Sequence, residues 1–229
     1  MLLDLLQGGF DRMDILRLLI SLPCIMLALT VHEVSHGYAA YRLGDPTAHN
    51  LGRLSLNPLK HLDPIGSLFM LLVGYGWAKP VPINVRYFKN YRRDMAITAA
   101  AGPLSNLLMG IIGSLLHGLS DSLFNHLLYL HPTEALYNFG LACSMLLYVF
   151  SFLNFSLCFF NLIPIPPFDG SRILFVFLPD RLYFGIMKYE RIIMIVLLGL
   201  IWANIIPLPI GGISASLHGV LYDLAYILD

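Results

Sequence analysis

The sequence predicts an all-α polytopic membrane protein, with four to six transmembrane helices around a three-helix core and a small membrane-associated β element near residues 77–88. Three observations point there. Of 229 residues, 57% are hydrophobic and only 12% charged, against about a quarter charged in soluble domains. Four apolar runs, 14–43, 94–118, 136–163 and roughly 183–206, reach the ~20 residues a helix needs to cross a hydrocarbon layer. Lys and Arg are also segregated along the chain, as the loops of a multi-span protein require.

Taken in order, the N-terminus MLLDLLQGGFDRMDILRLL carries acidic residues and no small-residue cleavage site, so it does not read as a removable signal peptide. The run IGSLFMLLVGYG at 65–76 is too short to cross and reads as interfacial or re-entrant. Residues 77–88, WAKPVPINVRYF, alternate small or polar with apolar side chains; Pro80 and Pro82 keep them from a sheet centre, leaving an edge strand or hairpin at the membrane surface. Residues 119–135 read as a loop between the second and third spans. The last stretch, 207–229, opens PLPIGG and turns amphipathic, as an interfacial or short spanning helix would. With no internal repeat or low-complexity linker, the chain reads as a single membrane-embedded domain over 1–229. Its core covers about 14–175, and C-terminal helices follow over 176–229.

Eight basic residues (Arg42, Arg53, Lys60, Lys79, Arg86, Lys89, Arg92 and Arg93) fall between the first two spans. Arg172, Arg181, Lys188 and Arg191 follow the third, and the 119–135 loop and the tail have none. The positive-inside rule makes the 42–93 and 170–190 regions cytoplasmic and the 119–135 loop external, with Arg12 and Arg17 dissenting. Zero formal net charge argues against a nucleic-acid partner. Cys24, Cys143 and Cys158 sit in apolar stretches without CxxC spacing and read as small buried residues.

Within the first span lies VHEVSHG, residues 31–37. Four residues apart on a helix, His32 and His36 share a face and can reach one ion. Glu33, about 100° around the axis, can hold a metal-bound water without ligating the metal. Zinc would bring that water's pKa towards about 7, and Glu33 would take its proton as it attacks a carbonyl. The bland alternative is two ordinary helical histidines beside a snorkelling Glu.

A catalytic zinc site takes about three protein ligands. The third span runs back to the depth of His32 and His36 and ends NLIPIPPFDGSRIL, bringing Asp169 to the same half of the layer. The prolines at 164, 166 and 167 break the helix just before it. Asp169 could instead be a helix N-cap. Asn106 on the second span and Asn161 on the third could bind substrate backbone or an oxyanion, or make interhelical hydrogen bonds only. His49 and His61 read as surface or headgroup residues. His117, His126 and His131 surround the external loop, where an accessory metal site is the lesser reading, and His218 reads as decoration of an amphipathic helix.

HEVSH in the first span, AGPLSN opening the second and NLIPIPPFDG closing the third together resemble the site-2 protease family of intramembrane zinc metalloproteases. NPLKHLDPIGS (57–67) and GWAKPVPIN (76–84) resemble that family's membrane-associated loop. The resemblance implies one Zn2+ per chain, held by His32, His36 and Asp169, with Glu33 as catalytic base. It implies a peptidase domain that cleaves within or beside a transmembrane segment of another membrane protein, with the strand-like loop guiding the substrate. Neither the 119–135 loop nor the tail has room for the PDZ or paired CBS modules of larger relatives, so the resemblance is to a minimal form, with any regulation left to a partner. The expected setting is the lipid bilayer of a prokaryotic cell membrane, with the site nearer the cytoplasmic face. The other readings are an intramembrane metal or proton transporter and a non-catalytic membrane-binding homologue. A transporter would spread ionisable residues through the depth of several helices, and a non-catalytic homologue has no need of Glu33. The substrate and oligomeric state are not written in the sequence.

Overall fold

A computed structural model describes residues 12–63, 66, 78–202 and 209–227. Its principal helices are α1 (Arg12–Arg42), α2 (Tyr91–Leu130), α3 (Glu134–Asn161), α4 (Asp169–Leu174), α5 (Asp180–Met187), α6 (Glu190–Trp202) and α7 (Ile210–Ile227). Three stretches are long and apolar enough to cross a membrane: Leu19–Arg42 of α1, all of α2 and all of α3. Among the described residues that is one fewer than the smallest number expected. The apolar run 183–206 is divided instead between α5 and α6 by a turn at 188–189, and its last residues lie outside the described set, as does nearly all of the 65–76 run.

The three spans pack on one another, α2 most extensively against α3, and α7 docks onto both. Capping fixes where α2 and α3 start. Asn90 accepts from the Arg93 amide at 3.2 Å while Asp94 accepts from the Asn90 amide at 3.0 Å, reciprocally satisfying donors at the head of α2. Thr133 caps α3 by accepting from the Leu136 amide. Small residues let the helices close: a Cβ on Gly110 would meet the Phe155 ring, and one on Gly113 would meet Phe150 and Ser151. The expected 119–135 loop is mostly helix. α2 runs on to Leu130, and only residues 131–133 connect it to α3, which makes the two antiparallel neighbours.

The expected β element is absent: no strand occurs among the described residues. Residues 78–84 are extended but make one isolated bridge, Leu62 with Ala78, and lead into a 3₁₀ turn at Val85–Tyr87. The amides explain why. Pro80 and Pro82 have no N–H to give a ladder. The Lys79 amide donates to the His61 carbonyl at 2.8 Å, that of Val81 to the Glu33 carboxylate at 2.8 Å, and that of Asn84 to Asp45 at 2.6 Å. The segment is therefore stitched to α1 and its following loop rather than to a neighbouring strand. Asp45, fully buried, also accepts from the Thr47 amide and hydroxyl, and so holds the chain leaving α1 against the same segment.

Candidate metal centre

His32 and His36 lie one turn apart on α1 and are 5% and 7% exposed. Asp169, at 9%, is the first residue of α4. The N-cap of that helix is Phe168, so Asp169 does not cap it. After α3 ends, three prolines deny the backbone its helical donors, and the chain turns so that Gly170 lies against the carbonyls of Leu162 and Ile163, where a Cβ would clash. That turn aims Asp169 at α1. Its Oδ2 is 3.2 Å from His32 Nε2 and 3.3 Å from His36 Nε2, and the two Nε2 atoms are 3.0 Å apart.

Hydrogen-bond logic gives the orientation of both imidazoles. His36 Nδ1 faces the Thr98 carbonyl at 2.7 Å, which can only accept, so that nitrogen carries the proton. His32 Nδ1 faces Asn106 Oδ1 at 2.5 Å. The Asn106 Nδ2 faces the Ala28 carbonyl at 3.2 Å, which fixes the amide's orientation and makes His32 Nδ1 a donor too. With Nδ1 occupied in both rings, the two Nε2 atoms point at each other and at a carboxylate oxygen, three ligand atoms that one bound cation would satisfy. Their separations suit zinc: a tetrahedron with bonds of roughly 2.0–2.1 Å has edges of roughly 3.3–3.4 Å. This is the one His/Cys/Asp/Glu group among the described residues whose ligand atoms converge in this way.

Beside the triangle is a cavity of about 160 Å³, room for about five waters at roughly 30 Å³ each. Glu33, Asn161 and Arg172 supply its other polar side chains, and Pro80, Val81 and Ile83 form one wall. Glu33 is half-buried, its Oε2 held by the Val81 amide at 2.8 Å. Asn161 donates through Nδ2 to the Leu157 carbonyl. Asn106 does not line this cavity; it is fully buried, with both polar atoms engaged. α2 comes this close because position 102 is glycine: a Cβ there would run into both imidazoles.

Several participants carry no mark in the sequence. The Thr98 carbonyl and Val81 amide are backbone groups. Asn154 could have been noticed as an amide in the middle of an apolar helix. Arg172, three residues beyond Asp169, lines the cavity and faces Glu190 at 3.9 Å. His117, expected at the external loop, and His218, expected to decorate an amphipathic helix, are buried together, Nδ1 to Nε2 at 3.1 Å, whereas His126 and His131 are exposed. His61 too is buried, its Nε2 bonded to the Ser55 carbonyl.

No solved structure matches the chain. It is 41% identical over 150 residues to "Putative zinc metalloprotease YwhC" of Bacillus subtilis, covering 66% of this chain and 65% of that protein. It is 31% identical over 153 residues to "Putative zinc metalloprotease Rip2" of Mycolicibacterium smegmatis, over 63% of this chain and 52% of the relative. The Rip2 of Mycobacterium tuberculosis is 29% identical over 155 residues, 53% of its length. The chain thus spans between about half and two thirds of these relatives. Residues 21–204, which contain every residue of the triangle and its cavity, match the family model described as Peptidase family M50, and the chain belongs to that family.

Proposed function

We propose that this multi-pass membrane protein is a zinc endopeptidase that hydrolyses peptide bonds within or next to transmembrane segments of other membrane proteins. The observation that carries the reading is the convergence of three candidate ligand atoms on one point beside a cavity with room for several waters that also holds a carboxylate. Family membership and the names of the relatives support it. His32, His36 and Asp169 would hold the ion. Zinc, when bound, supplies a Lewis acid that polarises a carbonyl and acidifies water.

The remaining chemistry belongs to the chain. Glu33 is the general base: with Oε2 fixed by the Val81 amide, its other oxygen takes the proton of the attacking water and returns it to the leaving nitrogen. Asn161, at the cavity wall, is placed to hold the substrate backbone or the oxygen that gains charge. Asn106 orients His32 rather than touching substrate, and the Thr98 carbonyl does the same for His36. The substrate is a membrane protein whose helix unwinds locally, since a helical carbonyl is otherwise hydrogen-bonded. The basic residues preceding α2 and those around α5 and α6 support a cytoplasmic-facing site, and the bacterial relatives support the cell membrane as its location.

The test pairs bound zinc with cleavage of a generic single-span substrate, for the wild type and Glu33→Gln in detergent. About one zinc per chain in both, with cleavage reduced 10²–10⁴-fold in the variant, is expected of a lost general base. Full cleavage by Glu33→Gln would remove Glu33 from the mechanism. A metal-replete wild type with no zinc would remove the metal centre itself.

A further inference from the structure

We infer that Asn154, on α3, is a positioning residue for the metal ligand His32, acting through Asn106 on α2. The inference rests on the zinc-peptidase reading and adds to it a control running through all three spans. Both amides are completely buried. Asn106 Oδ1 accepts from His32 Nδ1 at 2.5 Å, and its Nδ2 donates to Asn154 Oδ1 at 2.9 Å and to the Ala28 carbonyl at 3.2 Å. Asn154 Nδ2 donates in turn to the Phe150 carbonyl at 2.8 Å, within its own helix.

The direction of this chain is forced from its far end. The Phe150 carbonyl can only accept, so the Asn154 nitrogen must face it and the Asn154 oxygen must face Asn106. That oxygen and the Ala28 carbonyl both demand the Asn106 nitrogen, which turns the Asn106 oxygen to His32. His32 must then carry its proton on Nδ1 and offer the Nε2 lone pair to the metal. Reversing Asn106 would set nitrogen against an N–H at one end and oxygen against two oxygens at the other. Two buried amides serving only as glue between helices would need no particular orientation and would have no reason to end on a ligand's ring nitrogen. Here the chain ends on it. Glycines at 110 and 113 bring α3 close enough to α2 for the Asn106–Asn154 contact, since side chains there would meet Phe155, Phe150 and Ser151.

Partners behind a metal-bound histidine are typically worth 10–100-fold in metal affinity. Asn154→Leu keeps the volume and loses both polar atoms; Asn154→Asp keeps the acceptor that Asn106 needs. Zinc affinity would be measured by chelator competition on the full chain in detergent, with the ligand-field spectrum of the cobalt-loaded protein and the melting temperature alongside. Asn154→Leu should bind zinc about tenfold more weakly with shifted cobalt bands, and Asn154→Asp should recover most of that affinity. Wild-type affinity and spectrum in Asn154→Leu, even with a lowered melting temperature, would overturn the proposal and leave a structural amide. If the leucine variant does not fold, Asn154→Asp decides alone: a tenfold loss there overturns it. A wild type that binds no zinc would bring down the zinc-peptidase reading and this one together, whereas a zinc-binding wild type with an indifferent Asn154→Leu removes only this one.

Discussion

Gly102 bears on the metal centre although it carries no side chain. An added Cβ would meet both imidazoles of the triangle, and neither ring can retreat, since each is tied through Nδ1. Gly102→Ala should therefore empty the site while leaving the helices: metal analysis should find well under one zinc per chain with an unchanged far-ultraviolet spectrum, at an overpacking cost of about 1–3 kcal/mol. The Val81 amide has a different role. A hydrogen bond to a charged group is worth about 1.5–3 kcal/mol, so Val81→Pro, which removes that donor, should keep zinc bound and slow turnover about tenfold or more. Equal turnover in the two proteins would show that the bond aims nothing. At this scale the sequence was most legible in the side chains that the structure brings together, His32, His36 and Asp169, with Glu33 at the cavity beside them. It was silent where the partner is a carbonyl or an amide, because backbone groups are the same in every residue.

Among the elements, α7 departs furthest from its sequence reading. Ser214, His218, Tyr222 and Tyr226 recur every four residues, forming one stripe that looks like the wet face of an amphipathic helix. The stripe is dry. Ser214 meets Ser156; His218 meets Ser151 at 2.5 Å, Ser114 and His117; Tyr222 donates to Asp121 at 3.0 Å; Tyr226 accepts from Asn125. Periodicity reveals that a helix has a polar face and not whether that face meets water or a polar groove. Part of the expected 119–135 loop lines that groove: Asp121 accepts from Tyr222 of α7 and from Ser144 of α3. Gly118 admits α7 so closely that a Cβ would strike the Tyr222 carbonyl. His218→Leu takes one hydrogen-bond partner each from the Ser114 and Ser151 hydroxyls and from the His117 imidazole, each loss costing up to about 1–3 kcal/mol. It should destabilise the protein by several kcal/mol in a denaturant titration and speed proteolysis within 210–227. Wild-type resistance would mean that apolar packing alone holds α7.

Across the whole molecule, the order of spans and basic segments sets which side the chemistry faces. His36 and His32 precede Arg42, at the end of the first span, by six and ten residues, which puts them about 9 and 15 Å along the axis from that end. In a protein with Cys24, Cys143 and Cys158 replaced, Lys89→Cys should react with an impermeant thiol reagent only once the cytoplasmic side is opened, and His131→Cys should react from outside intact cells. Reversed labelling would turn the topology over. The described part of α6, 13 residues or about 20 Å up to the last described residue at 202, is short of the ~30 Å hydrocarbon layer, so the apolar run that read as a fourth span does not count as one among the described residues. Finally, the segment that walls the cavity is the same segment whose Val81 amide steadies Glu33. On the proposed peptidase reading, a displacement of residues 80–83 that admitted a polypeptide would stretch that 2.8 Å bond, so the site would be ready to react only once the wall had returned.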